Sequence, residues 1–240
     1  MLSIKNVSKT YGKSPAKAVD DISIEIGGGQ IFGFIGPNGA GKTTTIKMIT
    51  GILAPDCGTI EIDGHDIKND PLGAKKSFGY VPDSPDMFLR LKGIEYLNFI
   101  ADMYGVNSDD RKERIAGLAE TFEMTGPLNA KIQSYSHGMR QKIVIIGALL
   151  NKPSFWILDE PMTGLDPRAS FQLKELMREH VSSGKSVFFS THILEVAEKL
   201  CDKIAIINRG RIAYLGGLEE LKSDPGLSLE DIFMEVTSVG

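Results

Sequence analysis

A glycine-rich run between two differently patterned segments constrains the fold of this chain more than any other feature. The run Gly36-Pro-Asn-Gly-Ala-Gly-Lys-Thr43 follows the apolar residues 31–35 and precedes residues 43–52, whose pattern predicts a helix. A strand, a glycine-rich loop and a helix in this order are typical of a phosphate-binding loop, in which backbone N–H groups close around phosphate oxygens. The alternative is a glycine turn followed by a chance Lys-Thr pair, and the flanking strand and helix argue against it.

The last polar side chains of such a loop carry its charge chemistry. Lys42 would neutralise the β- and γ-phosphates of ATP, and the Thr43 hydroxyl would ligate Mg²⁺. The glycines are needed because a side chain would obstruct the approach of phosphate to the backbone. The predicted nucleotide contacts are Gly36, Pro37, Asn38, Gly39, Ala40, Gly41, Lys42, Thr43 and Thr44.

Two adjacent carboxylates follow a second apolar run. In Phe155-Trp-Ile-Leu-Asp159-Glu160 they end a predicted buried strand, where adjacent negative charges are costly unless a cation or hydrogen bonds compensate. Bound MgATP would supply that compensation, so we predict that Asp159 holds Mg²⁺ and that Glu160 is the general base for the attacking water. The alternative is an exposed strand end with two incidental acids. With the glycine-rich loop, these acids predict a nucleoside triphosphatase, a class that still includes nucleotide kinases, helicases and DNA-repair ATPases.

The hydrophobic pattern predicts an α/β fold with two kinds of strand. Apolar and polar residues alternate at 2–4, 22–26 and 59–64, which is typical of half-buried antiparallel strands. Continuous apolar runs at 31–35, 155–158, 187–189 and 204–207 instead predict a largely parallel sheet with helices on both faces. We therefore predict one domain, 1–240, in which 1–85 and 151–240 form the core with a β subdomain and 86–150 form an inserted helical subdomain.

Charge and hydropathy exclude several classes of protein. The 27 basic residues are outnumbered by 31 acidic ones, and the formal net charge of −4 gives no sign of a nucleic-acid binder. The longest uncharged apolar run, residues 143–150, is far short of the roughly 20 residues that a membrane-spanning helix needs. The first residues also lack the apolar core of a secretory signal. These features predict a cytoplasmic chain that does not itself cross a membrane.

Three further motifs resemble those of the ATP-binding-cassette (ABC) family. Ser134-Tyr-Ser-His-Gly-Met-Arg-Gln141 resembles its signature loop, Gly164-Leu-Asp-Pro167 its D-loop, and Ser190-Thr-His192 its switch histidine. Their order and spacing match across essentially the whole chain. The resemblance implies a P-loop NTPase (RecA-like) core with an antiparallel β subdomain and an inserted helical subdomain.

The resemblance also implies a site that two chains share. In this family two cassettes pack head to tail, so Ser136 and Gly138 would contact the γ-phosphate of ATP bound to the partner, and Asp166 would link the two sites. His192 would contact the γ-phosphate in its own chain, and Tyr11 would stack on adenine. Each assignment has an alternative: a structural histidine, a surface aromatic at Tyr11, and a helix-capping role for Asp166, with Pro167 in the first turn.

Two positions depart from the family pattern. Where the signature reads Leu-Ser-Gly-Gly-Gln, this chain has Tyr135-Ser-His-Gly-Met139, which keeps the serine and the second glycine. Where the Q-loop carries glutamine, Gly79-Tyr-Val-Pro82 is followed by Asp83. We predict that Asp83 lies near the metal as a ligand, and the alternative is that it caps the turn that follows.

The function implied by the resemblance is that of an ATP-hydrolysing motor subunit of a multi-chain membrane transporter. Its partners would be an integral-membrane permease, which would hold it at the inner face of the cell membrane, and a second ABC ATPase subunit, identical or different. The diverged signature and Q-loop favour an exporter. The alternatives are a soluble ABC-type ATPase not coupled to transport, which would have a long coiled-coil insertion or two cassettes, and a nucleotide kinase, which would leave the signature loop unexplained.

Overall fold

The computed structural model describes residues 1–12, 15–221 and 229–238. Within these ranges the chain forms ten strands and nine α-helices. The strands are β1 Leu2–Lys9, β2 Val19–Ile26, β3 Ile31–Ile35, β4 Cys57–Ile62, β5 His65–Asp66, β6 Phe78–Val81, β7 Phe155–Leu158, β8 Ser186–Thr191, β9 Lys203–Asn208 and β10 Arg211–Gly217. The helices are α1 Lys42–Ile49, α2 Pro71–Ser77, α3 Gly93–Met103, α4 Ser108–Thr121, α5 His137–Leu149, α6 Pro167–Ser182, α7 Leu194–Leu200, α8 Leu218–Leu221 and α9 Leu229–Ser238.

The central sheet is the parallel one that the continuous apolar runs predict. Its order is β10-β9-β3-β8-β7-β6, and the five strands from β9 to β6 pair in parallel, while β10 pairs antiparallel with β9. The residues of β3 and β7 are buried along their whole length, because helices or the second sheet cover both faces. Phe32 and Phe188 stack across neighbouring strands with ring centroids 5.7 Å apart.

A second, antiparallel sheet has the order β2-β1-β4-β5. Its inner face consists of the alternating residues of the sequence pattern, since Leu2, Ile4, Ile22, Ile24 and Ile26 are at most 1% exposed. They pack with Phe32, Phe34 and α1 in one hydrophobic cluster. The predicted antiparallel strands are therefore confirmed.

Residues 86–150, all of them described, contain α3, α4, α5 and two short 3₁₀ turns but no strand. Ile115 and Ala119 of α4 and Phe122 just after it are buried in a hydrophobic cluster that also includes Trp156 and Phe189 of the parallel sheet. The division between this region and the core of the chain stays a prediction.

Two helix boundaries illustrate what local sequence determines. Helix α6 runs from Pro167 to Ser182, and it begins at Pro167 because the Asp166 side chain accepts a hydrogen bond from Ala169 N at 2.8 Å and caps it. Helix α1 ends at Ile49, earlier than the predicted residue 52, because Gly51 has a φ of 69° and turns the chain out of the helix. Among the described residues no helix is long and apolar enough to span a membrane.

Candidate active site

The carboxyl ends of four neighbouring strands converge on one edge of the parallel sheet. The glycine-rich loop follows β3, His192 follows β8, Asp159 and Glu160 follow β7, and Asp83 lies just beyond β6. Residues from four distant parts of the sequence are thereby brought together. This edge is where open α/β sheets place their ligand sites.

The glycine-rich loop is packed tightly against the backbone beneath it. A Cβ atom at Gly36 would lie 2.4 Å from the Ile207 carbonyl oxygen, and one at Gly41 would lie 2.5 Å from the Ala18 carbonyl oxygen. Gly41 also has a φ of 112° and precedes α1 without offering a capping side chain. The first-turn N–H groups of α1 therefore remain available to an anion, as at other phosphate-binding helix N-termini.

The Lys42 ammonium lies inside this loop. Its Nζ donates to the Gly36 carbonyl at 2.7 Å and to the Pro37 carbonyl at 3.3 Å, and it is 3.5 Å from Glu160 Oε1. The side chain is only 7% exposed, so the positive charge is concentrated where phosphate would bind.

Asp159 is completely buried, and its two carboxylate oxygens differ in their partners. Oδ1 accepts a hydrogen bond from the Ser190 hydroxyl at 2.6 Å, whereas Oδ2 is buried without a partner among the described residues. Burial raises the pKa of Asp159, and this effect outweighs the influence of the nearby Ser190 and Thr43 hydroxyls, which lower that pKa. An unpartnered, buried carboxylate oxygen beside a threonine hydroxyl is the type of donor set that Mg²⁺ takes.

The carboxylate of Glu160 lies between the side chains of His192 and Lys42. Its Oε2 lies 2.9 Å from His192 Nδ1, and its Oε1 is the oxygen near Lys42. An ionised carboxylate only accepts hydrogen bonds, so Nδ1 carries the proton in this pair. The backbone of Glu160 has a φ of 47°, in the left-handed region, and its N–H donates to Ser190 Oγ at 3.0 Å.

Asp83 lies close enough to this cluster for its charge to be felt. Together with Glu160, it acts as a like charge that raises the pKa of Asp159, after the larger effect of burial. Its side chain is exposed and makes no hydrogen bond or ion pair with the described residues. The alternative in which it caps the following turn therefore lacks the hydrogen bond that it needs.

Tyr11 lies beside the glycine-rich loop. Its hydroxyl is 3.4 Å from Thr44 Oγ1, and the residue is 48% exposed. An exposed ring next to the loop is consistent with the predicted contact with adenine, which stays a prediction.

The predicted signature residues lie at the start of α5. The Ser136 hydroxyl accepts a hydrogen bond from Met139 N at 3.2 Å and caps the helix. Gly138 packs on the D-loop, since a Cβ there would lie 2.6 Å from the Gly164 carbonyl oxygen, and His137 packs over Gly164. Neither Ser136 nor Gly138 hydrogen-bonds to the glycine-rich loop of its own chain.

Asp166 links the D-loop to the helical region as well as capping α6. Its Oδ2 accepts from Lys142 Nζ of α5 at 2.8 Å. The hydrogen bond from Lys142, followed by that from Ala169 N, holds the pKa of this exposed carboxyl below its usual range. The capping role is thus observed, and the predicted contact across a dimer stays open.

Comparison with known proteins decides the family. The model of the ABC transporter family matches residues 19–163. The chain belongs to the ABC transporter family. It is therefore an ABC ATPase, a transporter subunit that binds and hydrolyses ATP, and the resemblance drawn from its motifs is confirmed.

Several relatives match this ABC ATPase over nearly its whole length. It is 37% identical to the ABC-type transporter ATP-binding protein EcsA of Bacillus subtilis (strain 168), with 99% of this chain and 96% of that protein covered. It is 35% identical to a Nod factor export ATP-binding protein I of Cupriavidus metallidurans, with 97% and 77% covered. A solved ATP-binding subunit of an ABC transporter superimposes with a TM-score of 0.93 at 33% identity, covering 98% of this chain and 99% of that one. A dimeric cassette bound to ADP and Pi, at 24% identity and a TM-score of 0.83, supports the fold.

The sequence did not indicate two contacts of this ABC ATPase. One is the hydroxyl of Ser190, which touches both acidic residues, and the other is the pairing of Lys142 with Asp166. A polar residue two positions before the switch histidine, at the end of an otherwise apolar strand, was the available signal for the first. No sequence spacing indicates the second, because it depends on how α5 packs beside the D-loop.

Proposed function

We propose that this ABC ATPase is the motor subunit of a multi-chain exporter and hydrolyses MgATP in a dimer with shared sites. The observation that supports its catalytic part is the meeting of Lys42, Glu160 and His192, with Glu160 within 3.5 Å of both partners. Such a cluster combines a cation for phosphate with a carboxylate that can orient and deprotonate water.

The residues divide the work as follows. Lys42 and the first-turn N–H groups of α1 bind the β- and γ-phosphates. Thr43, Asp159 and Asp83 would hold Mg²⁺, which would supply charge neutralisation. Glu160 accepts the proton of the attacking water. His192 orients that carboxylate through Nδ1, and in its imidazolium form, in which both ring nitrogens are donors, it would also donate from Nε2 to a phosphate oxygen.

The second half of each site comes from another cassette. Ser136 is exposed at the N-terminus of α5, and neither it nor Gly138 hydrogen-bonds to its own glycine-rich loop. An exposed helix N-terminus with a serine hydroxyl suits a phosphate presented by a second copy or a related subunit.

The catalytic proposal is tested with Glu160→Gln. We expect ATP binding to persist and turnover to fall about 10² to 10⁴-fold, the usual contribution of a general base. Calorimetry and a phosphate-release assay measure the two quantities, with Glu175→Gln, at a half-exposed carboxylate of α6 that pairs with Arg178, as the control. A Glu160→Gln protein with wild-type turnover would remove Glu160 from the base role.

An apolar groove provides the docking surface for the permease. It has a volume of about 340 Å³ and lies between α2, β6 and α3. Four of its apolar side chains are unusually exposed, namely Leu72 at 72%, Met103 at 65%, Ile52 at 62% and Phe88 at 45%. Lys75 and Lys76 line the same groove. A short cytoplasmic helix of the permease with an apolar face and acidic ends fits this surface, and it would hold the ATPase at the inner face of the membrane.

This docking is tested by replacing groove residues with charge. Leu72→Asp and Met103→Asp should each abolish co-purification with the membrane partner and leave MgATP binding intact, because the groove is separate from the glycine-rich loop. Leu215→Asp, at a 44% exposed position of β10, is the control. If wild-type protein from the source cell's membranes brings down no membrane protein, the soluble-ATPase alternative is favoured.

The direction of transport is proposed as export. The diverged signature loop supports this, as does the relative whose name specifies Nod factor export. With the complex in liposomes and its ATPase subunits outside, an extract of the source cells should stimulate ATP hydrolysis when added outside. Stimulation only by extract enclosed in the lumen would indicate import.

A further inference from the structure

A single buried hydroxyl contacts both acidic residues of the site. Ser190, near the end of β8, is completely buried. Its Oγ donates to Asp159 Oδ1 at 2.6 Å and accepts from Glu160 N at 3.0 Å. One side chain therefore connects the proposed metal ligand to the proposed general base.

We propose that Ser190 is a positioning residue that sets which oxygen of Asp159 faces the metal and in which direction Glu160 points. This rests on the roles proposed above for Asp159 and Glu160. Ser190 itself touches neither nucleotide nor water in this proposal.

The argument for Asp159 follows from what a hydroxyl can donate. A serine has one O–H. The backbone N–H of Glu160 can only donate, so Ser190 Oγ accepts from it and donates its own proton to Asp159 Oδ1. Oδ1 is thereby occupied, and Oδ2 is the oxygen left buried without a described partner. Residues that hold a ligating carboxylate in this way orient it and contribute to metal affinity.

The argument for Glu160 follows from its backbone. Strand β7 ends at Leu158, which is paired with Phe189, and the chain then leaves the sheet. Glu160 has a φ of 47°, a conformation that residues other than glycine seldom adopt. Its N–H is held by Ser190 Oγ rather than by a backbone carbonyl, and this turn directs the carboxylate towards Lys42 and His192.

An isosteric pair of variants isolates the hydroxyl. Threonine and valine have side chains of the same shape, but Ser190→Thr keeps the hydroxyl and Ser190→Val has a methyl group in its place. Both residues are favourable in a strand. Ser186→Ala is the control in the same strand, since this buried serine donates to the Gly27 carbonyl at 2.7 Å, at the opposite end of β8.

Two measurements distinguish positioning from general stability. The first measurement gives kcat and KM for ATP hydrolysis. In the second, calorimetry measures the affinity for ADP in EDTA and then at rising Mg²⁺ concentrations, and it gives the Mg²⁺ concentration at which half of the increase in affinity is reached. We expect Ser190→Val to lose about 10- to 100-fold in kcat with KM nearly unchanged, and to need about tenfold more Mg²⁺. Ser190→Thr and Ser186→Ala should stay near wild type in both.

Equal behaviour of the valine and threonine variants in both measurements would overturn the proposal. If valine does not fold at this position, Ser190→Ala compared with Ser186→Ala gives the same test. Glu160→Gln, measured in parallel, separates a failure of the proposed general base from a failure of the proposed role of Ser190. If it retains full turnover, the proposed base is wrong; if it is inactive while Ser190→Val matches wild type, only the role of Ser190 is wrong.

Discussion

His180 is a buried titratable group outside the candidate active site, and it predicts a pH dependence of stability. It lies in the last turn of α6, is 9% exposed, and its ring centroid is 5.7 Å from that of Trp156. Its Nε2 has no hydrogen-bond partner among the described residues. Burial, with a smaller contribution from the Lys185 charge, lowers the pKa of His180 from 6.5 to about 4.

The sign of the effect follows from proton binding. Between pH 6.5 and 4 the imidazole is protonated in the unfolded chain and neutral in the folded one, so the unfolded state binds more protons. The stabilisation is complete above pH 6.5 and is lost as the pH falls towards 4. At 1.36 kcal/mol for each unit of pKa, the loss attributable to His180 is about 2 kcal/mol at pH 5 and about 3 kcal/mol at pH 4.

Urea unfolding followed by tryptophan fluorescence measures this loss, because Trp156 is the single tryptophan of the chain and contacts His180. His180→Phe keeps an aromatic ring without a titrating group. The difference in unfolding free energy between wild type and His180→Phe should therefore change by the stated amounts between pH 7 and 4, while the other titrating groups cancel. A difference that stays constant over this range would show that His180 is not buried as a neutral group.

Three further predictions concern nucleotide binding. Lys42→Ala should weaken MgATP binding about 10- to 100-fold, because it removes a charge-assisted contact to phosphate, whereas Lys47→Ala in the same helix should not. If calorimetry gives Lys42→Ala the affinity of wild type, the assignment of the phosphate-binding loop is refuted. Asp83→Ala should raise the Mg²⁺ needed for ATP hydrolysis and Asp83→Gln should remain active, and a magnesium titration of the alanine variant that superimposes on wild type would exclude Asp83 from the site. Ser136→Arg should be inactive alone, yet regain activity when mixed with inactive Lys42→Ala chains, since one intact shared site then forms; normal hydrolysis by Ser136→Arg alone would contradict a shared site.

Most of the fold follows from hydrophobic periodicity. The run at 155–158 is buried at all four positions, and the alternation at 22–26 puts every second residue in the core, as the two periods predict. The end of α1 could not be placed to the residue, because the pattern of apolar residues continues to Ile52 while Gly51 already ends the helix. The left-handed φ of Gly51 determines where α1 ends, and hydrophobic periodicity does not indicate backbone angles.

The sequence predicts the residues of the candidate active site but not the contacts among them. Motifs place Asp159 and Glu160 after one strand and His192 after another, but the sequence does not state that β7 and β8 are neighbours. That adjacency gives the 2.9 Å contact between Glu160 and His192 and brings Ser190 between the two acids. Contacts that depend on strand order therefore required the structure.

The contacts among the charged residues also explain why Glu160→Gln should retain nucleotide. Lys42 and His192, the two side chains assigned to phosphate, both face the Glu160 carboxylate. That carboxylate competes with phosphate for the Lys42 ammonium and, as a negative charge near the γ-phosphate, opposes its binding. Glutamine keeps the shape and removes the charge, so both effects weaken while the proton acceptor is lost. Glu160→Gln should therefore bind nucleotide as tightly as wild type or more tightly, and turn it over slowly. Weaker binding by calorimetry would show that Glu160 helps to order Lys42 more than it competes with phosphate for Lys42.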